Sequence, residues 1–101
     1  MAYTLKWSEE ALEDIESIAT YIEKDSPVYA KAVVTKFFEK AELLQEFPKT
    51  GRVVPEFDNE TIREIFVYSY RLIYKIEKNV VLLVAIVHGK RLLENYREDK
   101  K

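Results

Sequence analysis

Apolar and polar positions change their period twice along the chain. Tyr3, Leu5 and Trp7 alternate with Ala2, Thr4 and Lys6, the period-two pattern of a short half-buried strand. From Ser8 the period lengthens to that of a helix. Ala11, Ile15, Ile18 and Ile22 form the apolar stripe, with Leu12 and Ala19 beside it, while Glu13, Asp14, Glu16 and Glu23 fall on the outer face. Ser8 is placed to cap a first-turn amide, and Glu9 and Glu10 suit the positive end of the helix dipole. This helix is expected to run to about Lys24. Asp25-Ser26-Pro27 stops it and starts a second, since proline is favoured at the first helical position. Ala30, Val33, Val34, Phe37, Ala41 and Leu44 give the second stripe. It should end near Phe47, because Pro48 disfavours helix in the residue before it. So short a link makes an antiparallel helix hairpin.

Pro48 to Arg52 is turn chemistry, and Val53 to Glu60 a loop with a short extended piece and Phe57 as its anchor. Period two then returns. Ile62 to Tyr68, Tyr70 to Glu77 and Val80 to Val87 read as three strands joined by tight turns at Ser69 and at Lys78-Asn79, an antiparallel meander. The middle strand sets Tyr70, Leu72, Tyr74 and Ile76 on one face and Arg71, Ile73 and Lys75 on the other. The last is apolar throughout, as for a strand covered on both faces. Strict alternation would put His88 on the face of Val80, Leu82, Val84 and Ile86. Gly89 breaks the strand; Leu92, Leu93 and Tyr96 suggest a docked turn or short helix, and residues 97–101 a frayed tail. The order β-α-α-β-β-β defines one α+β domain over residues 1–101. It has an antiparallel helix hairpin packed on a small, mostly antiparallel twisted sheet, whose other face is partly open.

Composition narrows the chemistry. The 101 residues, 48% hydrophobic and 34% charged, suffice for one core. The absence of cysteine excludes disulfides and thiolate metal sites, and the single histidine excludes a multi-histidine site within one chain. No cofactor is expected. Neither a leader pattern nor an apolar run of about 20 residues is present, so a cytoplasmic protein without a membrane partner is expected. The net charge of −2 conceals an asymmetry: −5 over residues 1–26, −1 over 27–61 and +4 over 62–101. That balance suggests an anionic partner for the C-terminal half without implying bulk affinity for nucleic acid.

Four side chains could carry chemistry. Arg71 lies opposite the helix-facing residues of its strand, where a guanidinium can fork onto a phosphate or carboxylate. The plainer role is pairing with Glu64 on the neighbouring strand. His88 is either a strand-end residue bonded to a backbone carbonyl or a general acid or base. Arg91, with Lys90, follows the glycine and could converge with Arg71; at a strand exit both also serve solubility. Tyr96 is a core lid or a polar tip near those cations. Arg63, beside Glu64, is expected to pair with it. There is no Gly-rich phosphate loop, nucleophile set or nucleotide-binding fingerprint.

These residues carry a resemblance. Trp7-Ser8-x-x-Ala11-x-x-Asp14-Ile15, Tyr21-Ile22, Ser26-Pro27-x-x-Ala30, Phe47-Pro48-x-x-Gly51-Arg52, Ile62-Arg63-Glu64, Tyr70-Arg71-Leu72-Ile73-Tyr74 and Val87-His88-Gly89-Lys90-Arg91 occur in this order. Together they resemble the ParE/RelE superfamily of toxins from type II toxin–antitoxin pairs, over nearly the whole chain. The resemblance implies the fold just derived and a cognate antitoxin that wraps the toxin in a hetero-oligomer. It also implies one of two targets: ParE-like members poison DNA gyrase, whereas RelE-like members enter the ribosome and cut mRNA. For a nuclease it would make Arg71 the phosphate-contacting arginine, with His88, Arg91 and Tyr96 completing the site. The loop before the first strand of the meander departs from the nuclease pattern, with Glu56, Asp58 and Glu60 where lysines bind RNA, and the first-half matches look ParE-like. The expectation is therefore a ParE-like gyrase inhibitor, with a ribosome-dependent endoribonuclease as alternative and a non-toxic antitoxin-binding module as the third.

Overall fold

The computed structural model describes residues 3–89. In chain order the elements are β1 (Thr4–Trp7), α1 (Glu9–Glu23), α2 (Pro27–Leu44), a 3-10 turn (Pro48–Thr50), β2 (Arg52–Val53), β3 (Ile62–Val67), β4 (Tyr70–Glu77) and β5 (Val80–His88). They build one sheet in the order β1-β5-β4-β3-β2, antiparallel except that β1 runs parallel to β5. The α+β architecture is the expected one, with two-residue β2 added along the edge of β3.

Both helix starts follow from their caps. Ser8 Oγ accepts from the Ala11 amide at 3.0 Å, and Ser26 Oγ from the Tyr29 amide at 3.1 Å, just ahead of Pro27. Helix α2 stops at Leu44, three residues short of Phe47. Its last turn tightens, with the amides of Gln45 and Glu46 reaching back to Glu42 and Leu43. Gln45 is meanwhile tied to the start of the chain: its carbonyl accepts from the Tyr3 amide at 2.8 Å, and its side chain donates to the Tyr3 carbonyl at 3.0 Å.

The main core lies between the helix hairpin and the sheet. Ala11, Ile15, Val33, Phe37 and Leu44 meet Leu72, Tyr74, Val81, Leu83 and Ile86 there. Each large apolar side chain so buried contributes about 1.5–3 kcal/mol. The face expected to be partly open carries a second, smaller cluster. Val54, Ile73 and Val87 are buried with Phe57, Ile62 and Val84 packed against them. Val54, fully buried, holds the 54–60 segment on this face, with the expected anchor Phe57 partly buried beside it.

The register of β5 departs from strict alternation. Ile73 pairs with Ala85 but Tyr74 pairs with Leu83, so Val84 is an extra residue on β5. Val81 and Leu83 face the helices, as does Ile86, while Val84 and Val87 join the opposite cluster. The single-face series from Val80 to His88 is therefore broken at the bulge. The docked turn expected at Leu92 to Tyr96 and the tail 97–101 lie outside the described residues.

Candidate functional site

Antiparallel pairing of β3 and β4 sets Glu64 opposite Ile73 and Phe66 opposite Arg71. Glu64 and Arg71 are thus diagonal neighbours on the face away from the helices. Arg71 Nε donates to Glu64 Oε1 at 2.6 Å, and its Nη1 and Nη2 donate to the two oxygens of Glu56 at 3.0 and 2.9 Å. Glu64 Oε2 in turn accepts from Arg52 Nε at 2.6 Å, and the Arg52 guanidinium lies 5.4 Å from the centre of the Phe66 ring. The result is an alternating row, Arg52–Glu64–Arg71–Glu56. Its inner members are out of water: the Glu64 side chain is 0% exposed and that of Arg71 5%. Hydrogen bonding to Glu56 raises the Arg71 pKa; burial opposes this and Glu64 adds to it. The pairing role for Arg71 is thus realised. Glu56, which belongs to the acidic loop, takes the forked position that a phosphate would need.

Arg63 does not pair with Glu64, because adjacent strand residues point to opposite faces. It spans two loops instead, donating through Nη1 to the Gly51 carbonyl at 2.8 Å and through Nε to the Glu60 carbonyl at 3.0 Å. Tyr74 fastens the same turn from below. Its hydroxyl donates to the Pro48 carbonyl and accepts from the Gly51 amide at 3.0 Å. Only glycine fits at Gly51, where a Cβ would stand 2.5 Å from the Glu64 carbonyl oxygen and 2.6 Å from the Tyr74 hydroxyl. Lys75 pairs with Glu77 at 3.3 Å on the surface, a contact worth at most about 1 kcal/mol.

His88 belongs to the other face. Past Leu83, β5 has left β1 behind, and α1 satisfies its edge. The Ser8 amide donates to the Leu83 carbonyl at 2.9 Å, Ser8 Oγ donates to the Val84 carbonyl at 3.0 Å, and Asp14 Oδ2 accepts from the Ile86 amide at 2.9 Å. Asp14, expected on the outer face, is turned inward to this edge. Next to it lies a groove of about 370 Å³ lined by Asp14, Ser17, Ile18, Tyr21, Tyr70 and His88, with Ile86 and Val87. The His88 and Tyr70 rings meet edge-on at 5.8 Å, and Tyr70 meets Phe37 the same way at 5.8 Å. Burial pushes the Tyr70 phenol pKa up, and the neighbouring Tyr29 and Tyr21 push it further. Tyr68, at the turn between β3 and β4, holds a positive φ of 56° with its ring 6.0 Å from Tyr29.

In the β4–β5 ladder Arg71 pairs with Val87 and Tyr70 with His88. The side chains of Arg71 and His88 therefore leave the sheet on opposite sides, and the structure does not bring them together. Arg91, Lys90 and Tyr96 lie outside the described residues. Two residues that shape these sites were given other roles from sequence: Glu56 was part of an acidic loop that departs from the nuclease pattern, and Asp14 an outer-face residue within a family motif. Nothing in the charge pattern singles out Glu56 among the three acids of its loop, and nothing in the helical period marks Asp14.

A helix hairpin on a mostly antiparallel five-stranded sheet, carrying the motif residues in this order, is the architecture of the ParE/RelE toxins. The chain belongs to the ParE family: the model for the ParE toxin of the type II toxin–antitoxin system parDE matches residues 5–93. It is 32% identical over 87 residues to toxin RelE2 of Caulobacter vibrioides, covering 85% of this chain and 94% of that one. Among solved structures, it resembles the chromosomal ParDE toxin–antitoxin system of P. aeruginosa with a TM-score of 0.73 at 18% identity, over 88% of this chain and 98% of that chain. A mutant of the E. coli toxin RelE in the free state gives a TM-score of 0.64 at 22% identity, over 89% and 86%. The molecule is thus a type II toxin by family.

Proposed function

We propose that this toxin arrests growth in the ParE manner, by binding DNA gyrase in the cytoplasm without a cofactor, and that a cognate antitoxin neutralises it in a hetero-oligomer. The observation that carries the choice of target is the bidentate bond from Arg71 to Glu56, with Glu64 on the remaining side. Cutting RNA requires preorganised positive charge aimed at the phosphate. Here two arginines alternate with two glutamates, and the row carries no net charge. Opposite-face placement of Arg71 and His88 supports the same reading, which leaves protein binding as the mode of action. The antitoxin is supported by the likeness to a ParDE system and by the large apolar side chains that the helix hairpin exposes, among them Leu12, Val28, Phe38 and Leu43.

The name of the RelE2 relative favours one second reading, ribosome-dependent cleavage of mRNA with Arg71, His88, Arg91 and Tyr96 as the site. Expression in a bacterial host without antitoxin separates the two. Gyrase poisoning gives the SOS response and filamentation, the outcome we expect. Rapid arrest of translation with codon-positioned mRNA cuts would establish the nuclease instead. Unimpaired growth would leave a non-toxic antitoxin-binding module.

A further inference from the structure

Strand β1 closes one side of the sheet, and no strand lies beside its outer edge. The amides of Thr4 and Ser8 donate inward, to the Asn79 and Leu83 carbonyls at 2.8 and 2.9 Å. Successive residues of a strand turn their backbone groups to opposite edges, so Tyr3, Leu5 and Trp7 turn theirs outward. Tyr3 confirms the phase: its amide donates to the Gln45 carbonyl at 2.8 Å, and its carbonyl accepts from the Gln45 side chain at 3.0 Å. The outward amides and carbonyls of Leu5 and Trp7 have no partner among the described residues. Such peptide groups are a template for one more strand.

Side chains decide what that strand must carry. Leu5 and Trp7 pack on the helix side of the sheet, where the Trp7 ring lies 4.9 Å from that of Phe38, itself 40% exposed. Thr4 and Lys6 are exposed on the opposite side. Lys6 is the one charge of β1 and has no ion pair among the described residues. Across its face Leu82 separates it from Lys75, which is paired with Glu77 at 3.3 Å. Glu9 and Glu42, the acids nearest to the edge in α1 and α2, belong to the helix side.

We infer that the β1 edge takes an extended segment of a partner protein as a further, antiparallel strand, with an acidic residue facing Lys6 between two apolar residues. An antiparallel neighbour returns both bonds of Leu5 from one residue and both bonds of Trp7 from another. The residue between them stands opposite Lys6 in a pair without backbone bonds. Side chains are closest in such a pair, and opposite charge is favoured there. Its two apolar neighbours point to the helix side and cover Phe38. A second copy of the chain fits badly. The two-fold pairing that uses both free residues matches Leu5 with Trp7 of the other copy, and it sets Lys6 directly against Lys6. The register centred on Leu5 needs Tyr3, which Gln45 already holds. Lys6 thus works against self-association while selecting a partner. The inference rests on the reading that this toxin acts through protein contacts, and it names a determinant for one of them.

The probe is the acetylated and amidated peptide Thr-Thr-Val-Glu-Val-Thr-Thr, titrated into the full chain and followed by amide NMR shifts and hydrogen exchange. The expected result is slowed exchange of the Leu5 and Trp7 amides, with shifts at Phe38. N-methylation of both valines removes two strand bonds and should weaken binding by about tenfold. Lysine in place of the central glutamate should weaken it by about three- to fivefold. Lys6→Glu, at an exposed position, should reverse that preference. Equal binding of the N-methylated peptide would overturn the inference, as would shifts that map away from β1 or indifference to the central charge in both proteins. Absence of binding at millimolar peptide would also overturn it, leaving Lys6 as a guard of the edge. Slow exchange of Leu5 and Trp7 that depends on protein concentration alone would give the edge to a second copy and sink the proposal. Growth arrest by the unmodified chain scores the toxin reading separately. Arrest without strand binding removes the edge site alone, and charge-dependent strand binding without arrest supports the edge site while removing the toxin reading.

Discussion

Glu64 is held between two guanidiniums with its side chain out of water, so removing Arg71 leaves a buried carboxylate balanced by the exposed Arg52 alone. Breaking such a pair from one side costs about 3–5 kcal/mol, whereas replacing both partners with apolar groups is often neutral. Arg71→Ala should therefore lower the unfolding free energy by about 3–5 kcal/mol, and the double change Arg71→Met, Glu64→Leu should recover most of it; urea denaturation measures both. Loss of toxicity in Arg71→Ala alone would then report unfolding. An Arg71→Ala protein as stable as the parent would return the arginine to the catalytic reading. Tyr74 gives a second test at this scale. Tyr74→Phe removes the Pro48 and Gly51 bonds together and should cost about 2–3 kcal/mol. The folded-state phenol pKa values of Tyr70 and Tyr74 are both raised, chiefly by burial. The folded state thus keeps its phenol protons longer than the unfolded chain, and stability falls as pH rises above the usual phenol value near 10. Thermal melts should be flat in this respect at neutral pH and drop above about 10, with part of the drop absent in Tyr74→Phe. The Arg71–Glu64 contact was legible in the sequence, because neighbouring strands set such pairs by register. Glu56 was not, since its reach depends on the path of the 54–60 segment.

At the scale of elements, Ser8 joins three parts of the fold. It caps α1 and supplies both its amide and its hydroxyl to the edge of β5 where β1 ends. Ser8→Ala removes the cap and the bond to Val84 and should cost about 2 kcal/mol, read from a chemical denaturation midpoint. A loss under about 0.5 kcal/mol would mean that water replaces the hydroxyl at both partners. Helices, hairpin and meander were readable because their stripes have a definite phase. The bulge at Val84 was not, for Val80 to Val87 are all apolar and such a run carries no phase to break. Asp14 was misplaced for a related reason. It borders the apolar stripe of α1, where the helical period alone cannot choose between solvent and a strand edge.

At the scale of the whole molecule, the positive C-terminal half does not form an open cationic face in its described part. Arg63 is spent on two loop carbonyls, Arg71 on two carboxylates and Lys75 on Glu77. What the described surface offers a partner is the acidic helix α1, the tyrosines beside it and the exposed apolar side chains of the hairpin. That surface suits a protein that acts by binding another protein. The most direct measurement is DNA supercoiling by purified gyrase with the purified toxin titrated in. Supercoiling should fail as toxin reaches excess over gyrase and return when the antitoxin is added. Full supercoiling at saturating toxin would contradict the account.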